Sequence, residues 1–457
     1  MAPALWRVNG ATKPTGLVGM TVLIEGTALG DARHGKVWFT NSGSTTPIQA
    51  AIVDSTNDWT NDFVVTTVPQ GVTSGAKITV QTSTGTSAGI AFTLVSGATF
   101  SPSTISWTPT TALPRALQGL GAVFVPSPAS AYPNNYVFVV GGAADSTNVA
   151  TTSVFRAVVQ SNGALGAWTN GAGVAPLPAA RAYAATAAAT AYNSPLDTTT
   201  TAAYLYALGG VDSAGTTVST VYVAKVAAAG DVGAWQTTTA LPAALHAASA
   251  VVFRGYLYLA GGASGTNVPS SAVYRAAVNA DGTLGAWQSL GALPGAVAFG
   301  SLLDFGPYLY MVGGDSGAVT PVSAASSGTE VANVSMAKIN LRDGSLPATW
   351  SALAGLSKGR SKHNTLPEGG YLFATSGVYS GSAGSSENTY SAINSDGTIG
   401  SWTGATGSNT IGTLLGYDLY NEAALSFVDA AGKSHVIVLG GAKRQAQGRA
   451  SAAVVYY

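Results

Sequence analysis

Tyr256-Leu-Tyr-Leu-Ala-Gly261-Gly262 leads to Val273-Tyr274-Arg275, then to Asn279-Ala-Asp281-Gly282-Thr-Leu-Gly285-Ala-Trp287, and then to Leu293-Pro294. The reading of this stretch decides the fold. Its opening run is bulky and aromatic, which suits a strand buried on both faces. A glycine pair at the end of the run permits positive φ and lets neighbouring chains approach closely. Asp-Gly before an apolar residue is a hairpin turn signal. The tryptophan is expected to fill space between adjacent sheets.

The same order recurs through the second part of the chain. Tyr136-Val-Phe-Val-Val-Gly141-Gly142, Tyr204-Leu-Tyr-Ala-Leu-Gly209-Gly210 and Tyr308-Leu-Tyr-Met-Val-Gly313-Gly314 are close copies. Tyr371-Leu-Phe-Ala-Thr-Ser376-Gly377 and Val436-Ile-Val-Leu-Gly440-Gly441 are looser ones. Tryptophans follow at 168, 235, 350 and 402, and Leu177-Pro178 and Leu241-Pro242 echo Leu293-Pro294. Gly209, Gly261 and Gly313 are spaced 52 residues apart. A unit of about 50 residues with four short strands matches the period of a propeller blade. Extra loops are expected from Val125-Pro-Ser-Pro128 onward, over 188–201 and over 315–332.

There are six glycine-pair equivalents, and the last copy ends at Tyr457 without its tryptophan. Trp107 precedes the first copy and is followed by Leu113-Pro114. Thr104-Ile-Ser-Trp107 is therefore expected to supply the outer strand of the final unit, pairing the two ends of the chain segment.

The sequence of strand, Gly-Gly, Tyr or Phe, Trp and Leu-Pro over residues 98–457 resembles the kelch repeat. Departures are Ser376 for a glycine and Leu356-Ser357 for Leu-Pro. The resemblance implies a six-bladed kelch-type β-propeller. The Asp-Gly-Thr-Leu-Gly-Ala-Trp wording is similar to bacterial and phage versions. Residues 1–97 have another texture, with short strands near Val22-Leu-Ile24, Val37-Trp38-Phe39, Ala51-Ile52-Val53, Phe63-Val64-Val65 and Ile78-Thr-Val80 at about 10-residue intervals. The run from Trp59 through Val68-Pro69-Gln-Gly71 and Gly75 to Phe92 resembles the IPT/TIG family of Ig-like β-sandwich modules, which serve as spacers or contact modules. Residues 1–20 are less regular and read as an assembly arm. The expected class is all-β, an Ig-like sandwich followed by the propeller.

Composition narrows the function. Charged residues are 9 % of the 457, with 20 acidic and 20 basic, against roughly 25 % in an average domain. Nucleic acid and anionic membrane surfaces need concentrated basic faces, so neither is an expected partner. Hydrophobic residues are 46 %, enough for large cores. No run reaches about 18 apolar residues, so no membrane insertion is expected. The absence of cysteine excludes thiol nucleophiles, cysteine zinc sites and cysteine-linked copper centres. His34, His246, His363 and His435 lack ligand spacing, so no metal and no cofactor are expected.

Just after Leu-Pro, repeat alignment groups Arg115, Arg181, Tyr183, His246, Arg360, Lys362 and His363 near one mouth of the channel. Such a funnel suits an acidic sugar or carboxylate; the same residues could instead cap strands. Asp418 and Glu422 are a close acidic pair, which glycosidase chemistry would need, or a solvated loop. The opening Met1-Ala-Pro-Ala-Leu-Trp-Arg-Val lacks the pattern of a secretory signal. The expected function is that of a non-enzymatic bacteriophage virion component, of the tail or a decoration, that homo-oligomerises, contacts other virion subunits and attaches to a host-surface glycan or protein. A secreted or surface-displayed bacterial adhesin or lectin is the alternative, and a carbohydrate-active enzyme the second.

Overall fold

The computed structural model describes all residues except 1, 9–14, 54–58, 95–99, 127–133, 145–148, 191–193, 195–200, 320–328, 381–386, 405–409, 429–432 and 445–448. The excluded stretches take in the boundary expected at 97/98, most of the 125–133 and 188–201 insertions, and the middle of the 315–332 loop. The chain is all-β. Among the described residues the helical elements are the 3-10 turn Pro102–Thr104 and the short helix Ile411–Leu415.

Each repeated run becomes the second strand of an antiparallel sheet. The third sheet is the clearest: His246–Phe253, Tyr256–Ala263, Ser270–Ala277 and Gln288–Val297 in that order. Five further sheets keep this order, four with four strands and the first with three. Their leading strands are Gly121–Val125, Ala185–Thr190, Ser301–Phe305, Asn364–Glu368 and Ala423–Val428. Each leading strand packs beside the next, and Ala423–Val428 packs beside Gly121–Val125, so the neighbour relation returns to its start. Together these strands line a channel of about 430 Å³.

The sixth sheet draws on both ends of this segment. Thr108–Pro109 pairs with Val454–Tyr456, Thr108 opposite Tyr456 and Pro109 opposite Val455. The pairing residues thus lie just beyond Trp107; of the expected strand 104–107, Thr104 ends the 3-10 turn Pro102–Thr104 and residues 105–107 are in no strand. Pro109 occupies the outermost strand of its sheet, where a missing N–H costs no ladder bond.

Three devices repeat at the seams between sheets. Apolar side chains interlock there, as Phe124 stacks on Phe427 with ring centres 4.6 Å apart between the first and sixth sheets. Fully burying one such side chain contributes about 1.5–3 kcal/mol. Tyrosine hydroxyls cross the seams to the turn of the next sheet: Tyr206 donates to the Gly282 carbonyl, Tyr258 to Gly344 and Tyr310 to Gly397, at 2.7, 2.8 and 2.8 Å. Tryptophan indoles do likewise, with Trp235 donating to Ala175 at 3.0 Å and Trp402 to Ala354 at 2.9 Å. The glycine pairs are required on two counts. Gly261 and Gly313 have φ of 67° and 58°, and a Cβ would stand 2.6 Å from the Val297 carbonyl oxygen and 2.5 Å from that of Arg360.

The N-terminal residues form two more sheets around one core. Ala4–Val8, Thr21–Thr27 and Phe63–Thr67 make one; Thr15–Gly16, Ile90–Leu94, Ala76–Thr82, Lys36–Thr40 and Ile48–Gln49 run across the other. Val22, Ile24, Val37, Phe39, Ile78 and Phe92 meet between them, and buried Trp59 donates to the Leu29 carbonyl at 2.8 Å. Within residues 1–20, Ala4–Val8 pairs with Thr21–Thr27 and Thr15–Gly16 with Ile90–Leu94.

This unit seats on the hairpins that end the leading strands of the third and fourth sheets. Leu23 and Val65 join the cluster of Phe253, and Met20 that of Phe305. Glu25 pairs with Arg254 at 2.8 Å, and Arg254 also donates to the Leu341 carbonyl.

Candidate functional site

The residue two places before most of the leading strands adopts a left-handed conformation. Gly119, Tyr183, Ala247, Phe299, Lys362 and Asn421 have φ between 53° and 56°. Each amide donates to the carbonyl of its counterpart in the preceding sheet. Tyr183 donates to Gly119, Ala247 to Tyr183, Phe299 to Ala247, Lys362 to Phe299, Asn421 to Lys362 and Gly119 to Asn421, over 2.7–3.0 Å. The six bonds form one cycle. Five members are not glycine, and each left-handed residue costs about 1–2 kcal/mol. The bonds of the cycle return about 0.5–1.5 kcal/mol apiece, and the seams hold the rest. Strain retained so regularly marks a place where the fold fixes geometry.

A cavity of about 140 Å³ sits at this cycle, shares residues with the channel below it, and takes in Tyr183, Phe299, Lys362, His363, Asn421 and Glu422. Tyr183 and Phe299 meet edge-to-face with ring centres 5.9 Å apart. The Lys362 ammonium lies 5.2 Å from the Phe299 ring centre and 6.0 Å from that of Tyr420. Burial pulls this ammonium down to about 8, against the opposing charges of Asp315 and Glu330. His363 is buried and neither ring nitrogen has a hydrogen-bond partner. Burial, then the Arg360 charge, holds its pKa well below the ordinary histidine value. Asn364 Nδ2 donates to the Glu422 carbonyl at 2.8 Å and to Glu422 Oε1 at 3.2 Å, while Oε2 is unpartnered. Burial pushes the Glu422 carboxyl up to about 7; its own backbone amide, Asn364 and the Arg360 charge oppose the rise.

The wall mixes apolar and polar groups on both sides: the first three sheets present Leu120, Tyr183, Ala184, Ala248 and Ser249, and the last three present Phe299, Ser301, Lys362, His363, Asn364 and Glu422.

The seven residues grouped from sequence divide. Tyr183, Lys362 and His363 line the cavity. Arg181 and Arg360 do not, because they sit two residues before the cycle, where the chain accepts a glycine amide from the preceding sheet: Gly142 donates to Arg181 and Gly314 to Arg360, at 2.8 and 2.7 Å. Their guanidinium groups stack instead on Tyr222 and Tyr379, at 5.0 and 4.4 Å. His246 lies in an adjoining groove with Tyr183, its Nδ1 3.0 Å from Thr217 Oγ1, and burial pulls it down to about 4. Arg115 is exposed beside Thr151 and Ala180. The acidic pair also separates: Asp418 pairs with Arg444 at 3.4 Å, and Glu422 is in the cavity. Sequence reasoning missed Phe299, Asn421 and Asn364. Counting five residues on from Leu293-Pro294 would have reached Phe299.

No family model matches this sequence, and no curated protein matches it.

Proposed function

We propose that the chain is a six-bladed kelch-type β-propeller carried by an IPT/TIG-like Ig module, and that it works as a non-enzymatic attachment and assembly protein on the surface of a bacteriophage virion, in the tail or as a decoration. The cyclic contact of six leading strands and the six-membered cycle of backbone hydrogen bonds support the propeller reading. The observation that carries the functional one is the polarity of the molecule. Ser301–Phe305 begins at the cavity and ends beside Met20 of the N-terminal unit, roughly 15 Å away at strand rise. One end is joined to a second module and the other presents a rigid, aromatic-lined recess, the arrangement of a displayed binding surface. A low-charge surface rich in hydroxyl groups suits contact with glycan and with repeated copies of itself.

Two-carboxylate hydrolysis is disfavoured by the engagement of Asp418 with Arg444. The test is retention of the purified chain on an array of bacterial surface polysaccharides, run beside a turnover assay on the same glycans. Retention without turnover is expected. Release of reducing sugar, abolished in E422Q, would replace this reading with that of a carbohydrate-active enzyme.

A further inference from the structure

We infer that the cycle parts at one place. The cavity-side end of the fifth sheet opens as a unit while the other sheets stay closed, and its opening widens the cavity through the Lys362–Asn364 wall. The closed recess remains the populated form, and the inference does not depend on what the recess binds.

The fifth sheet carries polar residues where its counterparts are apolar. In the other five sheets the residue before the glycine pair is Val140, Leu208, Ala260, Val312 or Leu439. Each faces a valine of the next strand: Val154, Val221, Val273, Val334 or Val454. In the fifth sheet Ala374 faces Thr389, and the pair that follows is Thr375 and Asn388, whose side chains hydrogen-bond at 3.0 Å. Arg360, two places before the cycle, stands where four other sheets have Leu117, Leu245, Val297 and Leu419. Thr365, three places after it, stands where four have Ala122, Ala250, Leu302 and Ala424. Arg360, Thr365, Thr375 and Asn388 are all buried.

Much of this polar core is unsatisfied. Arg360 Nε and Nη1, Ser361 Oγ, both His363 ring nitrogens, Thr365 Oγ1, Tyr379 Oη and Thr389 Oγ1 are buried with no hydrogen-bond partner. Closed, they are out of reach of water, so they gain hydrogen bonds only when this end opens. Opening any other sheet at the same level exposes valine instead, which the hydrophobic effect opposes. Ser376 adds to the contrast, holding φ of 59° where the other sheets have glycine. Local opening is drawn from regions with little apolar burial.

The opening is bounded. Leu372 packs with Tyr310, Leu356 and Ile393 in one seam, and Phe373 with Phe100, Ile105 and Trp107 in the other, so the far end of the sheet is held. At the cavity the opening breaks two bonds of the cycle, Lys362 donating to Phe299 and Asn421 donating to Lys362. Lys362, His363 and Asn364 line the cavity, which when closed measures about 140 Å³. That is below the roughly 300 Å³ at which ligand pockets begin, and withdrawal of this wall enlarges it.

The test is hydrogen exchange of the full chain, read by mass spectrometry, comparing residues 360–379 with the equivalent 245–264 of the third sheet. A minor open form of about 0.1–10 % is expected. The stretch 360–379, with the hydrogen-bonded amides of Lys362 and Gly377, should then exchange at least about a hundredfold faster than 245–264. T375V/N388V restores the apolar pair. It should slow exchange of 360–379 at least about tenfold and leave 245–264 within about threefold of the parent. A melting curve verifies its folding, and if it does not fold the parent comparison decides alone. Equal exchange of the two stretches in the parent would overturn the inference. So would fast exchange of 360–379 that the folded T375V/N388V leaves unchanged. Neither result bears on retention by polysaccharides, which tests the attachment reading.

Discussion

The Gly119 amide donates to the Asn421 carbonyl at 2.9 Å, joining the first and last sheets through the same bond that joins every other neighbouring pair. The bond closes the cycle, and the seams on either side keep it in place.

The glycine pairs are the first point at which the seams can be probed. In G313A the new Cβ meets the Arg360 carbonyl oxygen at 2.5 Å and His363 Cε1 at 2.9 Å, on a residue with φ of 58°. A loss of roughly 2–4 kcal/mol is expected in urea unfolding. S376G goes the other way. Ser376 occupies the equivalent place with φ of 59°, so glycine there should leave stability unchanged or raise it by about 1 kcal/mol. Equal effects of the two substitutions would contradict this account of the seam.

The tyrosine hydroxyls give a second measure. Y206F, Y258F and Y310F each leave a buried carbonyl without its donor, and each should cost about 1–2 kcal/mol. The three sites lie on different seams, so the costs should add in the triple variant to within about 0.5 kcal/mol.

Buried carboxyls make stability fall as pH rises. Burial pushes Asp304, Glu368 and Glu422 up to about 7. A carboxyl with a folded pKa above its unfolded one binds more protons when folded, so its contribution is complete below about 4.5 and is lost as pH climbs through 7. His246 and His363, lowered by burial, contribute above about 6.5 and lose that contribution as pH falls. Subtraction isolates one group. Relative to E422Q, the parent should lose about 1–3 kcal/mol between pH 4.5 and pH 8. A pH-independent difference would show that Glu422 is solvated.

Much of the fold was legible because its devices are tied to residue type. Only glycine fits against the next sheet's carbonyl at Gly261 or Gly313, and the bulk of a tryptophan recurs in each unit, so both residue types are visible in the sequence. The indoles of Trp168, Trp235, Trp287 and Trp402 donate to backbone carbonyls, and those of Trp107 and Trp350 are buried without a hydrogen-bond partner. The cycle was not legible. It is a backbone feature, and glycine, tyrosine, alanine, phenylalanine, lysine and asparagine all serve in it. The candidate site was half legible for a related reason. Arg181 and Tyr183 are two residues apart, yet the left-handed turn sends one into a seam beside Tyr222 and the other to the cavity. Glu422 and Asn364 meet across 58 positions, a proximity that follows from the order of the sheets and from no local pattern.

The closing pair can be tested directly, because the chain has no cysteine and Thr108 and Tyr456 are register partners in the sixth sheet. Opposed residues of an antiparallel pair lie within reach of a disulfide. In T108C/Y456C, oxidation should give an intramolecular disulfide in nearly every molecule and a raised melting temperature. Two thiols that stay free in the folded protein, or that link only separate chains, would contradict closure of the six sheets by the strand after Trp107.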